Sequence, residues 1–417
     1  MTNDFAEPPD PEENATILDA EGQGRVIYVT GDISTTLEGL HITGGDAAGL
    51  GGGWLGDSGG GIYVISATVT ISDSQVFGNT SPEEGGGVAL NWSVATISNN
   101  ALFSNTAGDE GGGTNLIKSA ALLDGNAIMT NAAGNGGGIF MMNGMNNRGR
   151  VILTNNRIVG QSRGEGVYVA LAGPLLSDNL IAGNSSVGVR LSQGVRVTEL
   201  TGNQIFSNGD DGFDCMFGIY RLTGNQITSN AGDGVETTCC TSKLTNAVIA
   251  DNQGHGIYVA SGYPDTPLDI AHATIARNGG ESGVGVYVER EAETNSSVLA
   301  ITNTIIVSHS VGISVTGGNT VTVNGVLWHG VPTTVSHAST ATVRVDNQHT
   351  GDPVFVDPDG GDYHINAGSA AIDKGVDISL SEDMDGQLRP RENGYDLGAD
   401  EIGLLKTYLP LVLREYP

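Results

Sequence analysis

Between residues 165 and 289 a small set of reactive side chains returns at a near-constant interval. Asp211-Gly-Phe-Asp214, Asp233-Gly-Val-Glu236 and His255-Gly-Ile-Tyr258 follow one another, 22 residues from each to the next. Glu165-Gly-Val-Tyr168 and Gly188-Val-Arg190 precede them in the same frame, and Gly285-Val-Tyr287 follows. Stacked on one another, these segments would align Tyr168, Arg190, Asp214, Glu236, Tyr258 and Tyr287 in one column. Glu165, Asp211, Asp233 and His255 would form a second column beside it. Grouped carboxylates can serve as acid and base across a glycosidic bond. Aromatic faces can stack on sugar rings, and an arginine can fork onto a uronate. Asp211, Asp214, Asp233, Glu236 and His255 are therefore the candidate catalytic groups, and Tyr168, Arg190, Tyr258 and Tyr287 the candidate substrate-binding groups. Arg190 should partly neutralise Asp214, one rung on, leaving Glu236 as the carboxyl with the raised pKa. The bland alternative is an ordinary solvated strand face, on which tyrosine is a favoured residue.

A second cluster lies near the C-terminus. Asp357-Pro-Asp359-Gly-Gly-Asp362 offers three carboxylates around a glycine turn, the hard oxygen donors that Ca2+ prefers. It lacks the bidentate Glu of an EF-hand loop, and Asp-Gly turns also occur without metal. No cofactor is required by any of these groups; Ca2+ is the one ion they could hold.

The elements that must position the columns follow from internal repeats. A glycine followed by an apolar residue recurs at 61, 87, 138, 166, 188, 212, 234, 256, 285 and 312, with Gly113-Thr114 as the poorest copy. The intervals run from 22 to 29 residues and average about 25, the period of a solenoid. Between the glycines sits Asn-x-apolar-x-x-Asn, as in Asn203-Gln-Ile205-Phe-Ser-Asn208, and its closing asparagines could hydrogen-bond along a ladder. Elsewhere apolar and polar residues alternate with strand periodicity. Three short strands per repeat describe one coil of a parallel β-helix. The expected fold is an all-β, right-handed parallel solenoid of roughly 11–13 coils with a small irregular C-terminal cap. The expected division is an acidic tail over 1–14, the β-helix over 15–350, a closing module over 351–402 and a tail over 403–417.

Composition narrows the partners. The formal charge is −29, with only 18 Lys and Arg in 417 residues, against nucleic acid or an anionic membrane surface. No run approaches the ~20 apolar residues of a membrane-spanning helix. Cys215 could pair with Cys239 or Cys240, or all three could be buried thiols. A monomer is expected. The acidic start lacks the basic flank and apolar core of a signal peptide.

The repeats resemble bacterial right-handed parallel β-helix proteins. The segment Asp352-Pro-Val-Phe-Val-Asp357, with Gly368-Ser-Ala-Ala-Ile-Asp373, Asp383-Met-Asp-Gly and Asp396-Leu-Gly-Ala-Asp-Glu401, resembles the closing module of "choice-of-anchor Q" surface proteins. The tail Tyr408-Leu-Pro-Leu-Val-Leu-Arg414 is similar to the ends of some secreted Chloroflexi-type proteins. These resemblances imply an extracellular or cell-surface protein whose leader is absent from this chain. Asp210-Asp211, Gly232-Asp233-Gly234 and Gly254-His255-Gly256 are similar to the coils of polygalacturonase-type glycoside hydrolases, but the Asn-Thr-Asp and Arg-Ile-Lys motifs of those enzymes are missing. Two functional classes stay open: a protein directed at a polysaccharide or cell-surface glycan, as binder, hydrolase or lyase, and a non-catalytic stalk or adhesin. The negative charge favours neutral glycans over polyuronates unless calcium bridges the two.

Overall fold

A computed structural model describes residues 16–52, 56–143, 149–261, 266–280, 283–290, 295–391 and 393–403. The proposed tail over 1–14, and all but Gly403 of the one over 403–417, lie outside the described residues. The chain winds into a right-handed parallel β-helix of about 13 coils. One face is a ladder of 13 parallel strands, and the other two faces join into a sheet of 24 strands. Successive coils stay in register, with Phe213 opposite Val189 and Val235, and Ile205 opposite Ile181 and Ile227. The interior is a continuous column of Val, Ile and Leu running from Val29 to Trp328. Strand alternation selects these residues, since every second side chain must point inward.

The recurring glycine is required by close approach between coils. A Cβ on Gly212 would lie 2.3 Å from Ile227 Cγ2 and 2.8 Å from the carbonyl oxygen of Gly234. The asparagines do form a ladder. Nδ2 of Asn184 donates to Asn208 Oδ1, and the pattern continues through Asn230, Asn252 and Asn278 at 2.8–2.9 Å. Asn100, Asn126, Asn156, Asn179, Asn203 and Asn225 form a second ladder at 2.9–3.1 Å. Gln161 and His309 replace asparagine in the first ladder: both are reached from the preceding Asn131 and Asn278 side chains, but Gln161 bonds onward to Asn184 only through its backbone N–H. Asn208 is buried, donates to Ile181 O and Asn230 Oδ1, and accepts from the backbone and side-chain nitrogens of Asn184. Asn208→Ala removes one bond from each of four buried groups, of which Asn230 Oδ1 keeps Asn208 N and Asn184 Nδ2 keeps Ile158 O, so a loss of roughly 1–3 kcal/mol is expected by denaturant titration. No measurable loss would mean that water replaces the side chain there.

Cys215 forms a disulfide with Cys240 rather than Cys239, linking two coils. The segment after 350 behaves differently from the expected cap. Instead of closing the last coil, it doubles back along the side of the solenoid. Tyr363, Ile365, Ala371, Leu397 and Ala399 pack on outward-facing Val248, Ala250, Ala276, Ile305, Val307 and Leu327. Tyr363 donates to Asp251 Oδ2 at 2.6 Å, and Asn303 Nδ2 to Val376 O at 2.7 Å. The physical reason is legible in Val248-Ile-Ala250 and Ile305-Ile-Val307: these strands are apolar on both faces, and the outer face needs cover.

Candidate functional site

The register places Tyr168, Arg190, Asp214, Glu236, Tyr258 and Tyr287 opposite one another on consecutive rungs of the 13-stranded face. Side chains of this column point away from the core. Upstream, however, the same column is covered: Tyr63, Ala89, Asn115 and Phe140 are 2% exposed or less. The turn that precedes each strand decides which. From the ladder asparagine to the coil glycine there are eight residues at 79–87 and 105–113, but four at 208–212, 230–234 and 252–256. The long turns carry an extra rung, Thr80–Ser81 on Thr106–Ala107, continued by bridges to Ala132 and Arg163. They press so close that only glycine fits one residue before the coil glycine: a Cβ on Gly60 would lie 2.1 Å from Thr80 O, and one on Gly86 2.5 Å from Thr106 O. The short turns carry no such rung. Asp211, Asp233 and His255 occupy the released position, and the face beneath them opens.

The polar groups there are tightly connected. Arg190 Nε donates to Asp214 Oδ2 at 2.8 Å, and Nη1 donates to Glu165 Oε1 at 3.2 Å. Glu165 also accepts from Gly136 N, so it is a structural anchor for Arg190. Asp211 Oδ1 accepts from Asp233 N at 2.6 Å, and Asp233 Oδ1 in turn accepts from His255 N. One carboxylate oxygen from each of Asp211, Asp233 and Glu236 lies within 4.8 Å of the others. His255, Tyr258 and Tyr287 form a stack with centroids 5.0–6.1 Å apart. Tyr168 stacks on Phe140 instead, at 5.4 Å, away from that group. Glu289, which accepts the Tyr258 hydroxyl proton, was not singled out from the sequence. Its position two residues beyond Tyr287 in an alternating strand was the available signal.

The electrostatics differ from the sequence expectation. Burial pushes Asp211 up to about 8, helped by a carboxyl–carboxylate hydrogen bond with Glu236. Glu236 is also raised, chiefly by burial, while its bond to Asp211 works the other way. The two form one acid pair: Glu236 is raised as expected, and Asp211, only 6% exposed, is raised with it by burial. Burial raises Asp214 to about 6 even though Arg190 opposes it, and raises Asp233 to about 6. Burial lowers His255, which is neutral at pH 7.

The three aspartates of the C-terminal turn do not converge. Asp357 accepts from Gly360 N at the start of a short 3-10 turn, Asp359 pairs with Arg277 at 2.6 Å, and Asp362 faces His364 Nδ1 at 2.5 Å. Among the described residues, the groups that could jointly hold an ion are instead Asp211, Asp233 and Glu236, and His364, Asp385 and Asp400. Each aspartate of the turn thus has a separate partner, Gly360 N, Arg277 or His364.

These protonations set a pH dependence of stability. Asp211 near 8 and Asp396 near 7 are both raised by burial above an unfolded value near 4, so the folded chain binds more protons between those limits. Stability from these groups is present at low pH and lost as pH rises through the folded values. Buried His272 and His309, lowered by burial to about 3 and about 4, oppose this only below about pH 6.5. Unfolding free energy should therefore fall by on the order of 2 kcal/mol between pH 6.5 and 8. Denaturant titrations at both pH values check the sign; a rise would contradict the buried, protonated state of Asp211.

A family profile described as a right-handed β-helix region matches residues 135–278, the coils that carry this face. The crystal structure of a periplasmic alginate epimerase aligns with a TM-score of 0.50 at 12% identity, over 78% of this chain and 77% of that one. The A-module of the Azotobacter vinelandii mannuronan C-5 epimerase AlgE4 gives 0.44 at 13% identity, over 75% and 91%. The catalytic unit of a GH87 α-1,3-glucanase from Streptomyces thermodiastaticus gives 0.44 at 12%, over 75% and 62%. These likenesses are of fold. No curated protein sequence matches the chain. Among the described residues no helix is long and apolar enough to cross a membrane.

Proposed function

We propose that this right-handed β-helix repeat protein is an extracellular or cell-surface protein that binds a polysaccharide along the Arg190–Tyr287 column and cleaves it there. One observation carries the reading: a proton-sharing carboxyl pair, Asp211 and Glu236, lies between an ion-paired carboxylate, Asp214, and a three-ring stack. At ~4.8 Å per rung, the five rungs from Arg190 to Tyr287 span about 19 Å, room for several sugar units along the solenoid axis. Tyr258 and Tyr287 supply the stacking platform. The Asp211–Glu236 pair delivers its proton to the leaving glycosidic oxygen. Asp214, kept ionised at neutral pH by Arg190, accepts the proton of the attacking water. Arg190 is a positioning residue, and Tyr168, stacked on Phe140, has no direct part. Support from fold is that the epimerase with the same architecture acts, by its name, on alginate. Residues 351–402 would serve as the surface-associated module.

The test is a glycan array probed with the purified chain, with and without Ca2+, followed by product analysis on the best ligand. Glycan binding that is lost in Tyr258→Ala supports the reading. The absence of any ligand would leave a rigid stalk, which the long asparagine ladders would suit.

A further inference from the structure

The reading above assigns roles to some of the charges on this face, but not to all. Two carboxyls share a proton and a third is held by Arg190; Asp210 and Asp233 have no such task. Asp210 is exposed on the short 208–212 turn beside Asp211, and its carbonyl accepts from Gly232 N, next to Asp233, so it borders the same opening. Asp233 uses one oxygen to accept from His255 N; among the described residues its other oxygen has no donor. The proton shared with Asp211 occupies one oxygen of Glu236, and its other oxygen has no donor either. His255 Nδ1 is buried without a partner. In the neutral ring one nitrogen accepts, so this atom too could take an N–H. The only cation in the column, Arg190, is already forked between Glu165 and Asp214. A uronate would bring another anion and more acceptors to a face that has no cation to spare. A protonated amino sugar brings what is missing: a positive charge with three N–H donors.

We propose that the polysaccharide recognised here carries free, protonated amino groups, and that Asp210, Asp233 and His255 form the cradle for one ammonium beside the Asp211–Glu236 pair. This rests on the glycan-directed reading and deepens it, from sugar polymers in general to cationic ones. Discrimination against N-acetylated sugars follows, because acetylation removes the charge and two of the three donors. A polyuronate is disfavoured by repulsion unless calcium intervenes.

The experiment is calorimetric titration of the intact chain with three soluble probes: the glucosamine tetramer, the N-acetylglucosamine tetramer, and oligogalacturonate with and without Ca2+. The expected result is tightest binding of the glucosamine tetramer, weakening with added salt and lost above the pKa of the amine. A chain of charge −29 will attract any cation, so site binding must be separated from bulk attraction. Asp210→Asn with Asp233→Asn should weaken the glucosamine tetramer at least tenfold. Asp73→Asn with Asp178→Asn, two exposed positions on other coils, removes the same charge and should leave it unchanged. Equal effects of the two pairs, or tighter binding of the acetylated or uronate probe, would overturn the amino-sugar inference while leaving a glycan site standing. Binding of none of the probes, with no array ligand of any kind, would remove both.

Discussion

Ile205→Asp should abolish the single cooperative unfolding transition of the solenoid. Ile205 is fully buried, packs in the central column and stands in register between Ile181 and Ile227. An aspartate there would face apolar side chains above and below, with no cation in reach. Burying an unpaired carboxylate costs several kcal/mol, and the carboxyl would protonate rather than remain charged. The lost packing of the isoleucine adds about 2–5 kcal/mol. In a solenoid each coil is held mainly by its neighbours, so the damage should split the rod into separately melting halves rather than lower one midpoint. Circular dichroism with calorimetry checks this: two transitions, or none, are expected. Ile205→Val, which keeps the shape, should cost only about 1 kcal/mol and retain one transition. An unchanged melting curve for Ile205→Asp would refute the inward register.

The second large effect concerns the shared proton. Under the proposed hydrolysis, Asp211→Asn should lower kcat by about 10^2–10^4-fold while leaving glycan affinity nearly unchanged, because the amide keeps the shape but cannot transfer a proton. Glu236→Gln should act differently. It removes the partner that helps to raise Asp211, so some acid catalysis survives but fails at lower pH. In the unmodified chain kcat/KM should fall as pH rises through about 8, where Asp211 loses its proton, and fall as pH drops through about 6, where Asp214 gains one. The alkaline limb should move down in Glu236→Gln and the acid limb should stay. A limb that does not move would mean that Asp211 and Glu236 titrate independently, and the pair would then not be the acid.

How much of this was legible in the sequence depends on the range of the interactions. The coil period, the strand alternation and the asparagine ladder are written in each repeat and depend only on the same residues recurring one coil away. Ile205 inside, Asn208 on the ladder and Arg190, Asp214 and Glu236 on successive rungs followed from counting alone. Even the opening of the face had a trace, in the turns that shorten from eight residues to four where Asp211, Asp233 and His255 appear. That trace needs the neighbouring coil to interpret, because what the longer turn covers is a side chain four residues further on, such as Tyr63 beneath Gly59. The choice of Cys240 over Cys239 was equally out of reach, since both lie on the next coil and only the direction of each side chain separates them.

Tertiary structure decided the rest. The return of residues 351–402 along the side of the rod joins Tyr363 to Asp251 and Arg277 to Asp359, across 112 and 82 residues, and no repeat predicts a contact between a periodic and a non-periodic segment. It also gave the C-terminal aspartates separate partners, one of them Arg277 on the rod, leaving no convergent set from that turn. Which carboxyls are raised depends on tertiary burial in the same way. Sequence ranks carboxyls by their charged neighbours and singled out Glu236, which is raised; burial, which sequence does not show, raises Asp211 and Asp214 as well. Periodic sequence fixes which residues meet on a rung, because each rung repeats the last; how much water remains around them depends on turns and on a folded-back segment that follow no period.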